Sequence, residues 1–368
     1  MTGGRQTGKT SLLARAFPNH HYVTLDVPAV AEAAELSGEA FLAQHRPPLI
    51  VDEIQYAPAL LRYIKADIDQ HRDERGRFLI TGSQKFSLME GVTESLAGRA
   101  SIVELHSLSA REIERSTGGE IGRDALPSCM FTGGFPEVIA SGLDPTRFYG
   151  DYLATYLERD VRSVLQVRSL RDFDRFLRLC ATRTSQLLSY SSLAADLGIS
   201  PNTVKGWVSV LEASGVIRLL EPYHSNLGKR IVKTPKLYFL DTGLACFLAG
   251  IRSPEDLRQS ALLGPIFESF VLGQIVRSAA NSAQHLDLYF YRDHHGHEVD
   301  FLIPRGERLE LIECKWAELP SGDQPGFREI SRLVSANRIA ARRIVTPVRG
   351  ARRLADGVEV VDSIDFGA

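Results

Sequence analysis

Cysteine is scarce in this chain and follows no pattern. Its four residues, Cys129, Cys180, Cys246 and Cys314, lie far apart with no paired spacing. That argues against a zinc site and a disulfide framework, and it fits a reducing cytoplasm as the expected compartment. Charge of one sign is lacking too. A formal net charge of −2 leaves no global basic field, so any nucleic-acid site has to be a local patch. Long hydrophobic runs are also missing. The longest apolar stretch, around Leu244 to Ile251, is far too short to cross a bilayer, and no membrane partner is expected. The opening residues carry no signal-peptide pattern, and no repeat or low-complexity tract interrupts the sequence. The remaining composition, 44% hydrophobic and 24% charged, is that of an ordinary globular protein. Its 368 residues suit roughly two to three domains, each with a core of its own.

What is present begins at once. Gly3-Gly4-Arg5-Gln6-Thr7-Gly8-Lys9-Thr10 fits the phosphate-binding loop G-x-x-x-x-G-K-[ST] in full. Glycines let such a loop curl until its amides converge on phosphates, with Ser11 continuing the same turn. Lys9 is expected to neutralise the β- and γ-phosphates of ATP, and Thr10 to offer its hydroxyl to Mg²⁺. Downstream, Leu49-Ile50-Val51 runs into Asp52-Glu53. This pattern predicts a buried parallel strand with acids at its carboxyl end, the edge where open α/β sheets bind ligands. Asp52 is expected to hold magnesium and Glu53 to orient the attacking water.

The strand that normally feeds such a loop is another absence. Only Met1-Thr2 precede Gly3, so the expectation is a chain that starts upstream in its full form. The alternative is a central gap in the sheet, which leaves backbone groups unpaired.

Residues 1–110 alternate helical and strand-like segments, as an α/β fold requires. His21 to Leu25 and Phe78 to Thr81 read as strands, Ala59 to His71 as an amphipathic helix, and Ile102 to Leu105 as a last strand. After Thr81-Gly82, Ser83 is suited both to sensing the γ-phosphate and to capping a helix. Arg99, in Ser95-Leu96-Ala97-Gly98-Arg99, fits an arginine finger or nucleotide sensor. A surface arginine paired with an acid is its alternative. Residues 111–185 read as a helical lid or connector, with Tyr149 to Ala181 periodic and densely charged. In residues 186–250, a helix from Ser191, a Ser200 cap, a helix over Pro201 to Ala213 and two strands (Gly215 to Leu220, Lys236 to Leu240) outline a winged helix-turn-helix. Asn202, Thr203 and Lys205 lie on its second helix, and Lys229, Arg230, Lys233 and Lys236 gather in the wing.

Residues 251–350 change pattern again. A helix carrying Glu268 precedes the strand Leu288 to Tyr291, the turn Asp293 to His297, the strand Glu298 to Ile303 with Asp300, and the strand Leu309 to Lys315. Residues two apart on a strand share a face, so Glu313 and Lys315 point the same way. If Asp300 lies opposite, Asp300, Glu313 and Glu268 can hold Mg²⁺ while Lys315 stabilises charge on a phosphodiester. A cross-strand salt bridge on an exposed hairpin is the alternative. His294, His295 and His297 read as decoration of the hairpin turn.

Taken together these segments resemble a group of bacterial and archaeal AAA-type ATPases whose C-terminal domain looks like a winged helix plus a PD-(D/E)xK nuclease fold. The carriers are Gly3 to Thr10, Val51 to Gln55, Thr81 to Ser83, Ser95 to Arg99, Gly133-Gly134-Phe135-Pro136-Glu137, Lys236 to Leu244, Glu298 to Phe301 and Glu313 to Lys315. Gly4 departs from the proline usual at its place. The resemblance implies an ATP site of Lys9, Thr10, Asp52, Glu53 and Ser83 with Arg99 as sensor. It implies nuclease-like positions at Glu268, Asp300, Glu313 and Lys315, and brings no established substrate. The expected fold is α/β: a P-loop parallel sheet with a helical lid, then a winged helix and a restriction-endonuclease-like domain. The expected function is a Mg²⁺-dependent ATPase coupled to a module that binds, and in its fullest form cuts, DNA or another nucleic acid. The alternative is an ATP-dependent switch whose C-terminal module docks a protein partner without catalysis. Sequence leaves the oligomeric state open.

Overall fold

The computed structural model describes residues 1–82, 96–156, 170–223, 233–334 and 336–366. Ser83, Lys229 and Arg230 lie outside them. Two compact units emerge, Met1–Ser107 with Ala213–Gly215, and Leu108–Glu212 with Val216–Ala368.

Unit 1 runs α1 (Lys9–Ala16), β1 (His21–Thr24), α2 (Pro28–Leu36), α3 (Gly38–Gln44), β2 (Leu49–Asp52), α4 (Leu60–Gln70) and β3 (Phe78–Ile80). The strands form a parallel sheet in the order β1-β2-β3. Every residue of β2 is buried, as expected for a parallel strand covered on both faces. Val23, Leu49 and Val51 share one core with Ala31 and Ala34 of α2 and Leu60, Leu61 and Ile64 of α4. Burial of that apolar face, rather than helix propensity, holds such short helices in place.

Met1 and Thr2 pair beside β3. Met1 donates to the Ile80 carbonyl (2.5 Å) and accepts from Gly82 N–H (3.3 Å). Thr2 exchanges backbone bonds with Val103 and Leu105 (both 2.8 Å) and bridges Glu104 in parallel. These bonds pair the Ile80 and Val103 carbonyls and the Gly82 and Leu105 amides. The strand expected over Ile102 to Leu105 is reduced to that single bridge.

Unit 2 begins with α5 (Ala110–Thr117), α6 (Leu126–Thr132), α7 (Pro136–Ser141), α8 (Pro145–Tyr156) and α9 (Leu170–Thr182). Next come β4 (Gln186–Leu187), α10 (Tyr190–Leu197), α11 (Pro201–Ala213), β5 (Ile217–Leu220) and β6 (Lys236–Phe239), the strands pairing antiparallel in the order β4-β6-β5. α12 (Thr242–Leu248), α13 (Pro254–Gln259) and α14 (Leu263–Asn281) lead into β7 (Tyr289–Arg292), β8 (Glu298–Arg305), β9 (Arg308–Cys314), α15 (Pro325–Leu333), β10 (Ile339–Thr346), β11 (Arg352–Arg353) and β12 (Glu359–Asp362). These last strands form a mixed sheet in the order β11-β12-β10-β9-β8-β7. Within it β9, β10 and β12 are parallel and β7, β8 and β11 antiparallel to their neighbours. α14 is apolar nearly all round and correspondingly buried. The two sheets of unit 2 are tied by main-chain bonds, Tyr223 N–H to Phe290 O (2.8 Å) and Phe290 N–H to Glu221 O (3.1 Å). Among the described residues no helix is long and apolar enough to cross a membrane.

Two of the singled-out motifs meet in a buried joint of unit 2. Asp241 caps α12 through Leu244 N–H (3.1 Å) and also accepts from Tyr149 Oη (2.7 Å) and Gly134 N–H (2.9 Å). Gly133 turns the chain at φ 75°, where a Cβ would overlap Tyr149 Oη and Asp241 Oδ1. The Gly133 to Glu137 and Lys236 to Leu244 motifs are therefore one structural device.

Candidate functional site

The loop and the acids meet in unit 1. Gly3 (φ 145°), Gln6 (φ 57°) and Gly8 (φ 88°) have positive φ, the alternation that turns successive amides toward one point. Gly8 caps α1 without a side-chain hydrogen bond, so the first-turn amides face outward with the helix dipole behind them. At Gly3 a Cβ would overlap the Leu105 carbonyl oxygen, which makes glycine obligatory there. Lys9 is buried, and its Nζ donates to the carbonyls of Gly3 (3.1 Å) and Gly4 (2.7 Å). Thr7 ties the loop by donating to the Gly4 carbonyl (2.9 Å).

At the end of β2, Asp52 accepts from Thr10 Oγ1 (3.0 and 3.2 Å), Tyr22 Oη (2.8 Å) and Thr81 Oγ1. Burial and the Asp52 bond push the Tyr22 hydroxyl up to about 12. Glu53 follows in the left-handed region (φ 59°), its N–H donating to Thr81 Oγ1 (3.2 Å) and its carboxylate accepting from Gln55 Nε2. Thr81 thus bridges the two acids. A loop hydroxyl and a strand-end carboxylate held together beside backbone amides suit a magnesium–phosphate ligand. Gln55 and Thr81 stood in the motifs that carry the resemblance, without a role, and Tyr22 was read only as part of a strand. The pairing of Thr24 with Asp52 shows how Tyr22, two residues earlier, reaches the acid. Arg99 forms a two-point pair with Asp69 of α4 at 2.9 and 3.1 Å, away from these groups in the hydrogen-bond network.

A second constellation lies in unit 2. Phe301 pairs with Ile312 across β8 and β9, which sets Asp300 and Glu313 at the next opposed positions. Cys314 N–H donates to Asp300 Oδ2 (2.8 Å), and Lys315 Nζ to Glu313 Oε1 (2.7 Å). Glu268 of α14 joins them: single oxygens of Glu268, Glu298 and Asp300 all lie within 4.8 Å of one another. The four residues expected from sequence are brought together, and the structure adds Glu298, Lys236, Tyr238 and Ser185. Glu268 accepts from Tyr238 Oη (2.5 Å), Lys236 Nζ (3.0 Å) and Ser185 Oγ (2.9 Å). Lys236 also pairs with Glu298 and approaches Asp300 at 3.8 Å. Glu313 Oε2 is buried and accepts no hydrogen bond among the described residues. His297 turns instead to Asp293 (2.8 Å), within the β7–β8 turn.

Burial, followed by the charges of Glu268 and Glu313, pushes the Asp300 carboxyl well above its usual range. Burial also raises Glu313, against the pull of Lys315. Burial alone would lower the Lys236 ammonium, but the charges of Glu268, Asp300 and Glu298 outweigh it and hold it up. The raised carboxyls bind protons more tightly in the folded chain than in the unfolded one. Unit 2 should therefore lose stability as pH rises from about 4 through their raised values. Trp207 and Trp316, the only two tryptophans, both belong to unit 2. Urea unfolding read by tryptophan fluorescence should show that slope, and Asp300→Asn should flatten it.

The acidic centre does not fit a divalent metal as it stands. Magnesium requires oxygens at about 2.0–2.1 Å in near-octahedral array with several waters, whereas Glu268 already accepts from the Lys236 ammonium and two hydroxyls, and the same ammonium pairs with Glu298.

Comparison with known proteins bears on unit 1 first. A family model described as an AAA domain matches residues 1–114. Models described as domains of unknown function match residues 123–255 and 263–364. Two mycobacterial proteins are 30% identical over 324 residues, spanning 87% of this chain and 70% of theirs: the uncharacterized proteins Rv2008c of Mycobacterium tuberculosis and Mb2031c of Mycobacterium bovis. The chain belongs to the family of these two proteins, with an AAA domain over residues 1–114. Among solved structures, the ORC2 protein of Aeropyrum pernix in its ADP form covers 59% of this chain and 80% of its own, at 14% identity and a TM-score of 0.28. That overlap is too loose to carry anything further. The AAA domain contains the loop, Asp52, Glu53, Thr81 and Arg99, while Glu268, Asp300, Glu313 and Lys315 fall in the last matched stretch.

Proposed function

We propose that unit 1 binds ATP with magnesium and hydrolyses it. The observation that carries this is the hydrogen bond between Thr10 and Asp52 beside the glycine loop. Residues distant in sequence meet there in the arrangement a magnesium–nucleotide ligand requires. In this reading the amides from Gly3 to Ser11, with Arg5 and Thr7 in the loop, cradle the phosphates, and Lys9 takes up their charge. Magnesium held by Thr10 and Asp52 would supply charge neutralisation on the phosphate oxygens. Glu53 orients the attacking water, its carboxylate steadied by Gln55, while Thr81 fixes both acids through one hydroxyl. Ser83 would sense the γ-phosphate. Arg99 would serve as sensor or finger after exchanging its exposed partner Asp69, an exchange that costs little at a surface.

For the rest of the chain we propose a helical connector over 111–185, a winged-helix-like part over 186–250 and a nuclease-like part over 251–350. The helix pair α10–α11 with the sheet β4-β6-β5 supports the first of the two folds. The order Glu268 helix, Asp300 strand, Glu313-x-Lys315 strand supports the second. Exposed Asn202, Thr203 and Lys205 on α11 suit a nucleic-acid contact. The lysine inside the acidic centre favours a module that docks a nucleic acid or protein partner without cutting it, driven as an ATP-dependent switch in the cytoplasm.

Phosphate release from ATP by purified protein tests the first part. It should require Mg²⁺ and stop on chelation, and its absence would overturn the ATPase reading. Thr81→Val should leave binding of a fluorescent ATP analogue intact while slowing turnover by about 10–100-fold, the usual effect of removing a group that orients metal ligands.

A further inference from the structure

Lys236 is 1% exposed, and its position is set by two independent parts of unit 2. It sits on β6, where it pairs with Leu220 and Leu187, while the acids it meets stand on α14 and β8. An ammonium has three donors, and three carboxylates surround this one: Glu268 at 3.0 Å, Glu298 in a close pair, and Asp300 at 3.8 Å. The Phe290 and Tyr238 rings lie 5.6 and 5.9 Å from the same nitrogen, completing a cage that favours a cation. Other donors reach these acids too. Glu268 takes hydroxyl protons from Tyr238 and Ser185, and Asp300 takes the Cys314 N–H. Lys236 thus already offsets part of the charge of the oxygens that would ligate a divalent ion and stands among them. A metal entering alongside would face a fixed positive charge a few ångströms away in a buried setting, where such repulsion is weakly screened.

We propose that Lys236 is the resident cation of this centre, an ammonium fixed where a divalent metal would otherwise bind, so that unit 2 withholds Mg²⁺ and its acids act as a structural joint. This rests on reading the β7–β12 sheet as nuclease-like, and it names the residue that keeps that fold from cutting phosphodiesters. Removing an ammonium from three carboxylates, without removing the carboxylates, should then open a divalent site.

The test is Mn²⁺ binding to the nucleotide-free full chain, followed by electron paramagnetic resonance of the free ion. Wild type and Glu268→Gln should bind Mn²⁺ identically, since Glu268 is not available to metal. Lys236→Met should gain one site per chain, at least 10-fold tighter than any wild-type binding, and Lys236→Met with Glu268→Gln should lose it. Wild-type binding that weakens in Glu268→Gln overturns the proposal, because metal then displaces the lysine. A folded Lys236→Met variant without the new site overturns it as well. Should Lys236→Met fail to fold, judged by tryptophan fluorescence, the wild-type and Glu268→Gln pair decides alone. A separate DNA-cleavage assay on the metal-loaded variant reads the nuclease-like assignment: metal bound without cleavage would count against that assignment while leaving the lysine's role intact.

Discussion

Lys9→Ala should abolish ATP hydrolysis, lowering turnover by at least about 100–1000-fold, the scale lost when one preorganised charge partner of a transition state is removed. The expectation follows from the place of the ammonium. It is buried and anchored by the carbonyls of Gly3 and Gly4 at the first residue of α1. Water cannot easily substitute for a charge at that depth. The fold should survive the change. Alanine is the best helix former, and the core of Val23, Leu49, Val51, Leu60 and Ile64 does not include Lys9. Phosphate release and a circular-dichroism melt of the same preparation check both halves. Unchanged turnover in a folded variant would remove the ATPase assignment.

Asp241→Ala should destabilise unit 2 by about 3–5 kcal/mol, because it strips partners from several buried groups at once. Gly134 N–H and Leu244 N–H lose their acceptor, and Tyr149 Oη keeps only the Thr132 carbonyl. The Arg277 guanidinium, lowered by burial and supported mainly by the charge of Asp241, loses that support. No water replaces the carboxylate readily, since Asp241 is 6% exposed and Tyr149 1%. Urea unfolding followed by tryptophan fluorescence reads unit 2 specifically, and ATP hydrolysis by unit 1 gives an internal comparison. A shift in the midpoint worth under 1 kcal/mol would show that the joint between the Gly133 and Lys236 motifs is dispensable.

These two residues were legible to different degrees. Lys9 is fixed by a local pattern, since an eight-residue loop carries its own backbone geometry. Gly3, Gln6 and Gly8 take the positive φ that the motif requires. The strand ending in Asp52 was legible for a similar reason: a run of apolar residues stopped by two acids states both its burial and where it ends. The motif containing Asp241 stood out only as a resemblance, and its work as a cap, an acceptor and a partner of buried Tyr149 came from the structure.

The sequence by itself determined the loop, the acid-tipped β2, most of the helical and strand periods of both units, and the shared face of Glu313 and Lys315. All of these depend on spacing along the chain, where the periods of 3.6 and 2 residues fix which side chains share a face. Tertiary structure alone decided that Thr81 and Tyr22 hold Asp52, that Arg99 pairs with Asp69, and that Met1 and Thr2 pair beside β3. It also decided that Lys236, read from sequence as part of a basic wing, turns inward to the acids of α14 and β8. Charge repeated along a chain says nothing about which charges meet across a core. That outcome depends on how sheets and helices pack, and a buried ammonium persists only where the packing supplies the carboxylates to satisfy it.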